Sequence, residues 1–387
     1  MDLAPEGAYQ SGATESLVMP IKSTETSTTM PKRPTIADVA RACGLSRATV
    51  ARALSGKGYV ENEKRLLIQK TARKIGYRTS ALARALRTQR SASVGVLIAD
   101  ITNPIFPQIV KGIDDVLSAK GHTILLCNTD ENPQKQIALA SSLIDRHVDG
   151  LILVSQSLET PAIRDLLAGG PPCVFVNRRP YATADYVGPD NIQAINLLVD
   201  HLAGLDHTKI GYITGTESSS TSRERLSQFS VALQRYGLDV RPEWVFPGDY
   251  SIECGREAFR KMSLLSDRPT AIMAANDFSA LGMIEEAQSR GLCVPRDLSV
   301  TGFDDVLSFS DQLHYSLSMQ GLTTISQPKR EIGMAAAAML LERLAGGRET
   351  TLPPVILPVD IKVRETTAPP PASQGKPLRA GRKRAPR

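Results

Sequence analysis

The chain has 387 residues, room for two or three globular units with ample core, and at 42% hydrophobic and 22% charged it has the composition of an ordinary soluble protein. No apolar run is long enough to span a bilayer, which excludes a helical membrane protein. The net charge of +6 conceals a segregation: residues 32–90 carry 15 Lys and Arg against 3 acids, whereas residues 91–367 carry 24 against 33. A small basic module joined to an acidic body points to a polyanion partner for the small part only.

Residues 1–32 are Ser/Thr-rich and slightly acidic, without the basic start and apolar stretch of a signal peptide. They are expected to be disordered, the chain to stay in the cytoplasm, and Met30 is a second candidate start. The next stretch, TIADVARACGLSRATVARALSG (35–56), holds two short helical patterns. Thr35 can cap the first, with Asp38 completing a capping box; Gly44 permits a turn and Ser46 can cap the second. Val50, Ala53 and Leu54 form an inward arc, while Arg47, Ala48, Ala51 and Arg52 lie opposite. A third helix near 62–75, with Leu67, Ile68, Ala72 and Ile75 inward, would complete a three-helix core. This is a helix-turn-helix layout with a small, basic outer arc suited to base edges and phosphates.

From Ser93 apolar runs ending in a polar residue alternate with helical stretches. They are VGVLIAD (94–100), a helix near 106–119, TILLCNTD, a helix near 133–147, GLILVS, a helix near 161–168, and CVFVNRR. The cycle resumes with IGYITG, a helix near 223–236, AIMAAND, a helix near 278–290, and LSVTGFDD. The pattern predicts parallel sheets flanked by helices, in two α/β lobes that separate around 188–192. Ligands bind such sheets beyond the strand C-termini, so Asp100, Asp130, Asn177, Asp277 and Asp304 are either convergent site residues or caps of the following helices. Cys43, Cys127, Cys173, Cys254 and Cys293 contain no CxxC pair and read as buried free thiols, without a disulfide or zinc site.

With GYRTSALARALRTQRSASVGVLIADITNPIF following it, the opening motif resembles the lactose-repressor (LacI/GalR-type) family of bacterial transcription regulators over roughly residues 34–367. VDGLILV, RERL (223–226), PTAIMAANDFSALG, LSVTGFDD and LTTISQPKREIG agree with it. The resemblance implies an all-α helix-turn-helix headpiece at 33–78, a hinge helix and linker at 79–92, and a two-lobed periplasmic-binding-protein-like (type I) effector domain at 93–367. Lobe 1 would comprise about 93–188 and 326–349, and lobe 2 about 189–325 and 350–367; residues 368–387 form a basic tail. It implies DNA contacts from Thr35, Arg47, Ala48, Thr49 and Arg52, with Ala83 and Leu86 of the hinge helix in the minor groove. Leu86 would be the wedge that bends the duplex. Ala51 stands where the family usually has serine. Implied effector contacts are Phe106, Asp130, Asn177, Arg225, Asn276 and Asp304, with Phe303 packing beside them. Arg178 and Arg179 suit either an anionic ligand or salt bridges. The partners implied are palindromic double-stranded operator DNA, a second copy of the chain and a small effector (a sugar, sugar acid or similar metabolite), with no cofactor and no metal.

An enzyme is disfavoured: the five histidines lack HExxH spacing, and neither a G-x-S-x-G elbow nor a P-loop lysine occurs. A transport-associated sugar-binding protein would leave the basic headpiece without a role.

Overall fold

The computed structural model describes residues 34–56, 58–77, 90–156, 161–179, 184–306, 321–346 and 351–371. The expected extension to residue 32, the hinge run 80–86 and the tail beyond 371 lie outside the described residues. The chain forms two compact units, residues 1–80 and 81–387.

The first unit holds three helices: α1 (Ile36–Cys43), α2 (Arg47–Ser55) and α3 (Asn62–Lys74). The Asp38 carboxylate accepts from the Thr35 amide at 2.9 Å and from its hydroxyl at 2.7 Å, and these bonds hold its pKa below the usual carboxylate value. Gly44, at φ +65°, ends α1, and the Leu45 amide donates to the Ala40 carbonyl. Ser46 Oγ accepts from the Thr49 amide at 3.1 Å and starts α2. Val39, Val50 and Ile68 are fully buried, packed with Ala40, Ala53, Val60 and Ala72. Leu67, expected inward, is instead 48% exposed. Neighbours on a helix point 100° apart, and a core this small takes one stripe, which Ile68, Ala72 and Ile75 occupy at i, i+4 and i+7.

The second unit contains two six-stranded sheets. The first is built from β1 (Ser93–Ile98), α4 (Ile105–Ala119), β2 (Thr123–Asn128), α5 (Pro133–Asp145), β3 (Gly150–Val154), α6 (Pro161–Ala168), β4 (Cys173–Val176) and β5 (Tyr186–Pro189). The second takes α7 (Asn191–Gly204), β6 (Ile210–Ile213), α8 (Ser220–Gln234), β7 (Val245–Phe246), α9 (Ile252–Ser263), β8 (Ala271–Ala274), α10 (Asp277–Ser289), β9 (Ser299–Asp304) and β10 (Thr323–Ser326). The chain returns to the first sheet with α11 (Lys329–Gly346) and β11 (Val355–Leu357), then ends in the second with β12 (Asp360–Lys362). The orders are β2-β1-β3-β4-β5-β11 and β7-β6-β8-β9-β10-β12, so the lobes repeat one topology. All the strand pairs are parallel except β10 with β12.

Strands such as β3 and β8 are buried along their whole length, as a sheet covered on both faces requires. In lobe 1, α4 and α11 cover one face and α5 and α6 the other. In lobe 2, α9 and α10 lie opposite α7 and α8. A Cβ at Gly112 of α4 would fall far inside van der Waals contact of the Arg330 carbonyl, and one at Gly333 inside that of the Ile109 carbonyl. The two helix backbones therefore touch.

The chain crosses between lobes three times, at 189–191, 326–329 and 357–360. The last crossing corrects the expected boundary: residues 355–357 pair with β5 in lobe 1 and do not belong to lobe 2. Pairing to β5 completes the edge of that sheet before the chain leaves it. Of the cysteines, Cys254 alone is buried and Cys293 is exposed; all five are free.

Candidate functional site

On α2, Arg47, Ala48 and Arg52 are exposed, while Val50 and Ala53 turn into the core. Arg52 Nε approaches the Ala48 carbonyl at 3.4 Å, and its aliphatic stem runs beside Gly58. Thr35 is exposed, and the Thr49 hydroxyl shares a 2.9 Å hydrogen bond with Ser46 Oγ. The first unit thus presents a bare face with two guanidinium groups flanking small side chains. Ala83 and Leu86 lie outside the described residues.

In the second unit, a cleft of about 620 Å³ opens where the strand C-termini of the two lobes meet. Phe106, Asp130, Asn177, Arg225, Asn276 and Asp304 all line it, as does Asp100. Six of the ten non-glycine residues with positive φ among the described residues are also in its wall: Asp130, Glu131, Ser155, Asn177, Tyr250 and Asp304. Backbone held in that costly region persists where the surroundings fix side-chain directions, and it clusters at ligand sites.

Arg225, from α8, is buried and committed. Its Nε donates to Asn191 Oδ1 at 2.8 Å, one terminal nitrogen donates to the Ala275 carbonyl at 3.0 Å, and the guanidinium stacks 3.4 Å from the Phe303 ring centroid. Asp304, closing β9, accepts from Gln327 Nε2, and the Lys329 ammonium donates to the Asp304 backbone carbonyl at 2.6 Å. Burial pushes the Asp304 carboxyl up to about 6, against the pull of Arg225 and Lys329. Burial likewise lowers the Lys329 ammonium. Lys329 opens α11 at the second crossing, so its bond to Asp304 joins the two lobes.

Several of these side chains are engaged within the protein. Asp277 is buried behind the cleft, where its carboxylate accepts from Thr324 Oγ1 at 2.6 Å and the Val306 amide at 2.8 Å. Burial and the neighbouring Asp304 push it up to about 8. Asn276 caps α10: its Oδ1 accepts from the Ser279 amide and hydroxyl, and its Nδ2 donates to the Tyr250 carbonyl. Arg178 and Arg179 are salt-bridged to Glu131 at 3.1 Å and Glu224 at 3.5 Å, which takes both arginines from a free anion. Asp130 is exposed and paired with Lys135. Sequence reading missed Glu131, Tyr250, Gln327 and Lys329. The positive φ of the first two has no single-residue signature, whereas the Gln-Pro-Lys run at the second crossing was visible. Among the described residues no group of side chains could hold a metal ion.

Residues 35–80 match the family described as bacterial regulatory proteins, lacI family. Residues 91–362 match periplasmic binding proteins and sugar binding domain of LacI family. The chain belongs to the lacI family. Members of this family are DNA-binding transcription regulators, not enzymes. The chain is 32% identical to the NTD biosynthesis operon regulator NtdR of Bacillus subtilis (strain 168), over 86% of this chain and 100% of that one. A lac repressor dimer bound to operator and the anti-inducer ONPF is 26% identical with a TM-score of 0.77, covering 87% of this chain and 100% of that one. A lacI-family regulator from Enterococcus faecium with bound ribose is 30% identical with a TM-score of 0.61, covering 72% and 99%. As a member of this family the chain carries two separate sites: a helical DNA-binding module and a two-lobed effector-binding domain.

Proposed function

We propose that the chain is a repressor that binds a palindromic operator as a homodimer and is controlled by a small polyhydroxyl effector held in the cleft. One observation carries the reading: a helix-turn-helix whose second helix leaves Arg47, Ala48 and Arg52 bare is joined in one chain to a cleft walled by strained, polar strand ends. Arg47, Ala48 and Arg52 would read base edges in the major groove, and Thr35 and Thr49 would meet phosphates. The run 80–86 would order on DNA, Ala83 against the duplex and Leu86 between base steps. A helix of seven residues gains little stability alone, so ordering and wedging are coupled.

In the cleft, Phe106 offers a face to a ring, while Asp304, Asn177, Asp130 and Asn276 offer polar atoms. Arg225 would reach ligand oxygens with its remaining terminal nitrogen, its other donors being committed. Effector bridging the two lobes biases their closure, and the crossings carry that change towards the hinge run. The coupling is reciprocal: operator must change effector affinity by the same factor as effector changes operator affinity.

Binding-site selection from random duplex DNA with the full-length protein tests this. A recovered palindrome supports the dimeric reading. Arg52→Ala should weaken binding to it by about 1–3 kcal/mol and relax one base pair per half-site. Selection that enriches no palindrome, with or without a pool of sugars and sugar acids, would refute it.

A further inference from the structure

The chain leaves the second unit at both of its outer ends. In each sheet the parallel strands run towards the cleft. Asp100, Ser155 and Asn177, just past β1, β3 and β4, line it from lobe 1; Thr216 and Asn276, past β6 and β8, and Asp304, closing β9, line it from lobe 2. The strand N-termini therefore point away from the cleft, at opposite ends of the unit. At the outer end of lobe 1 the Asp149 carboxylate, just before β3, accepts from the Ser91 amide at 2.7 Å and the Ala92 amide at 2.9 Å, so the run to the first unit departs there. At the outer end of lobe 2 residues 365–368 are strapped across the starts of β9 and β10. The Glu365 amide donates to the Gly321 carbonyl at 2.7 Å, the Val300 amide to the Thr366 carbonyl at 2.9 Å and the Ala368 amide to Ser299 Oγ at 3.1 Å. The Ala368 carbonyl bonds with Nε2 of the buried His207 at 2.8 Å.

Past that strap the charge changes sign. Lys376, Arg379, Arg382, Lys383, Arg384 and Arg387 stand in residues 369–387 without one acid, after a stretch, 91–367, in which acids outnumber bases 33 to 24. Six-residue strands such as β1 and β9 span about 20 Å each and the cleft adds roughly 10 Å, so the two outer ends are on the order of 50 Å apart. Arg387 is 19 residues past Ala368. As a coil such a run spans about 25 Å, and only at full extension does it reach about 65 Å. With 80–86 on the operator, the residues 87–90 add at most about 14 Å between that duplex and lobe 1, which leaves it out of the tail's ordinary reach. The tail therefore faces some other polyanion. Residues 369–387 hold no aromatic platform for unpaired bases, and Leu378 alone is too little to enter a bilayer. Lys and Arg spaced by small residues suit duplex phosphates, and a protein already held on DNA meets duplex at high local concentration.

We propose that residues 376–387 hold a second DNA duplex, without sequence preference, at the end of the second unit opposite the linker, so that one protein joins two DNA segments. This rests on the reading of the first unit and the run 80–86 as the operator-binding part. The strap at 365–368 is then what keeps the origin of the tail away from the operator.

A sandwich assay on the full-length protein decides it. The protein is bound to short operator duplex on beads, washed, and offered a labelled duplex of random sequence. The wild type should hold the second duplex about tenfold or more tightly than a variant combining Arg379→Gln, Arg382→Gln, Lys383→Gln and Arg384→Gln, with a log–log salt slope of about −3 to −5. A charge-keeping variant, Arg379→Lys with Arg382→Lys and Arg384→Lys, should hold it as the wild type does. Operator affinity of the glutamine variant should stay within about twofold of wild type, which also shows its fold intact. Equal retention of the second duplex by the glutamine variant overturns the proposal. So does a fall in operator affinity that matches the loss of the second duplex, since both parts would then lie on one duplex. A wild type that holds no second duplex, even where its tail captures single-stranded RNA or phosphatidylserine vesicles, overturns it as well. Binding-site selection that recovers no operator is a failure of the earlier reading and is seen before any second duplex is added. Random duplex on the beads then keeps the comparison of variants in force.

Discussion

Replacing Ile68 by alanine tests whether one side chain holds the DNA-binding module together. Ile68 is fully buried on α3, among Val39, Val50 and Ala53. The substitution removes three carbons, about 2.4 kcal/mol of transfer free energy at roughly 0.8 kcal/mol each, and the cavity left behind brings the cost to about 2–5 kcal/mol. A module of some 45 residues is stable by only roughly 2–7 kcal/mol at ordinary per-residue values, so this one change takes half or more of its stability. Hydrogen exchange on the full-length protein reads the effect locally. Peptides covering α1 and α2 should lose about 30-fold or more in protection while those from the two-lobed unit stay unchanged. Leu67→Ala, next door but half exposed, should shift the same peptides by less than about 0.5 kcal/mol. Equal losses from the two variants, or unchanged protection in Ile68→Ala, would refute the packing assigned to α3.

Three further outcomes follow from the second unit. Gly112→Ala forces a methyl group into the Arg330 backbone and should cost about 1–3 kcal/mol, seen as a lower Tm of that unit, with Gly204→Ala, at a helical position with open space around it, as the comparison. Arg343→Ala leaves the buried Asp185 carboxylate, which also holds the Leu352 amide at 2.8 Å, without its counter-charge and should cost about 3–5 kcal/mol in the same melt. Asp277 is raised to about 8 in the folded chain, so the folded state binds the extra proton; its contribution is present below the unfolded carboxyl value and is lost as pH rises towards 8. Wild-type Tm should therefore fall more steeply between pH 5 and 8, on the order of 1 kcal/mol per unit, than that of Asp277→Asn; equal slopes would show that Asp277 is ionised throughout.

Much was legible in sequence because local chemistry repeats it. Thr35, Gly44 and Ser46 announce the ends of α1 and α2 by caps and a left-handed turn, and the structure uses all three in that way. The run of apolar stretches ending in Asp or Asn announces parallel strands, since a strand covered on both faces has no polar position until it reaches the edge of the sheet. Which end-residue does what was not legible. Asp277 opens α10 just past β8 and Asp304 closes β9, yet the first is locked behind the wall by Thr324 and the second lines the cleft.

The sequence by itself determined the helix-turn-helix, the two-lobed parallel α/β architecture and the set of strand ends from which the cleft is drawn. These depend on periodicity and capping, which act over a few residues. Tertiary structure decided the rest: that Leu67 faces out, that β11 returns to the first sheet, that Arg178 and Arg179 are neutralised by Glu131 and Glu224, and that Gln327 and Asn177 each bury an oxygen without a donor among the described residues. Each of those outcomes turns on a partner tens of residues away, in a core or a wall that exists only once the chain has folded. The desolvation that gives such a partner its weight has no counterpart in the open chain.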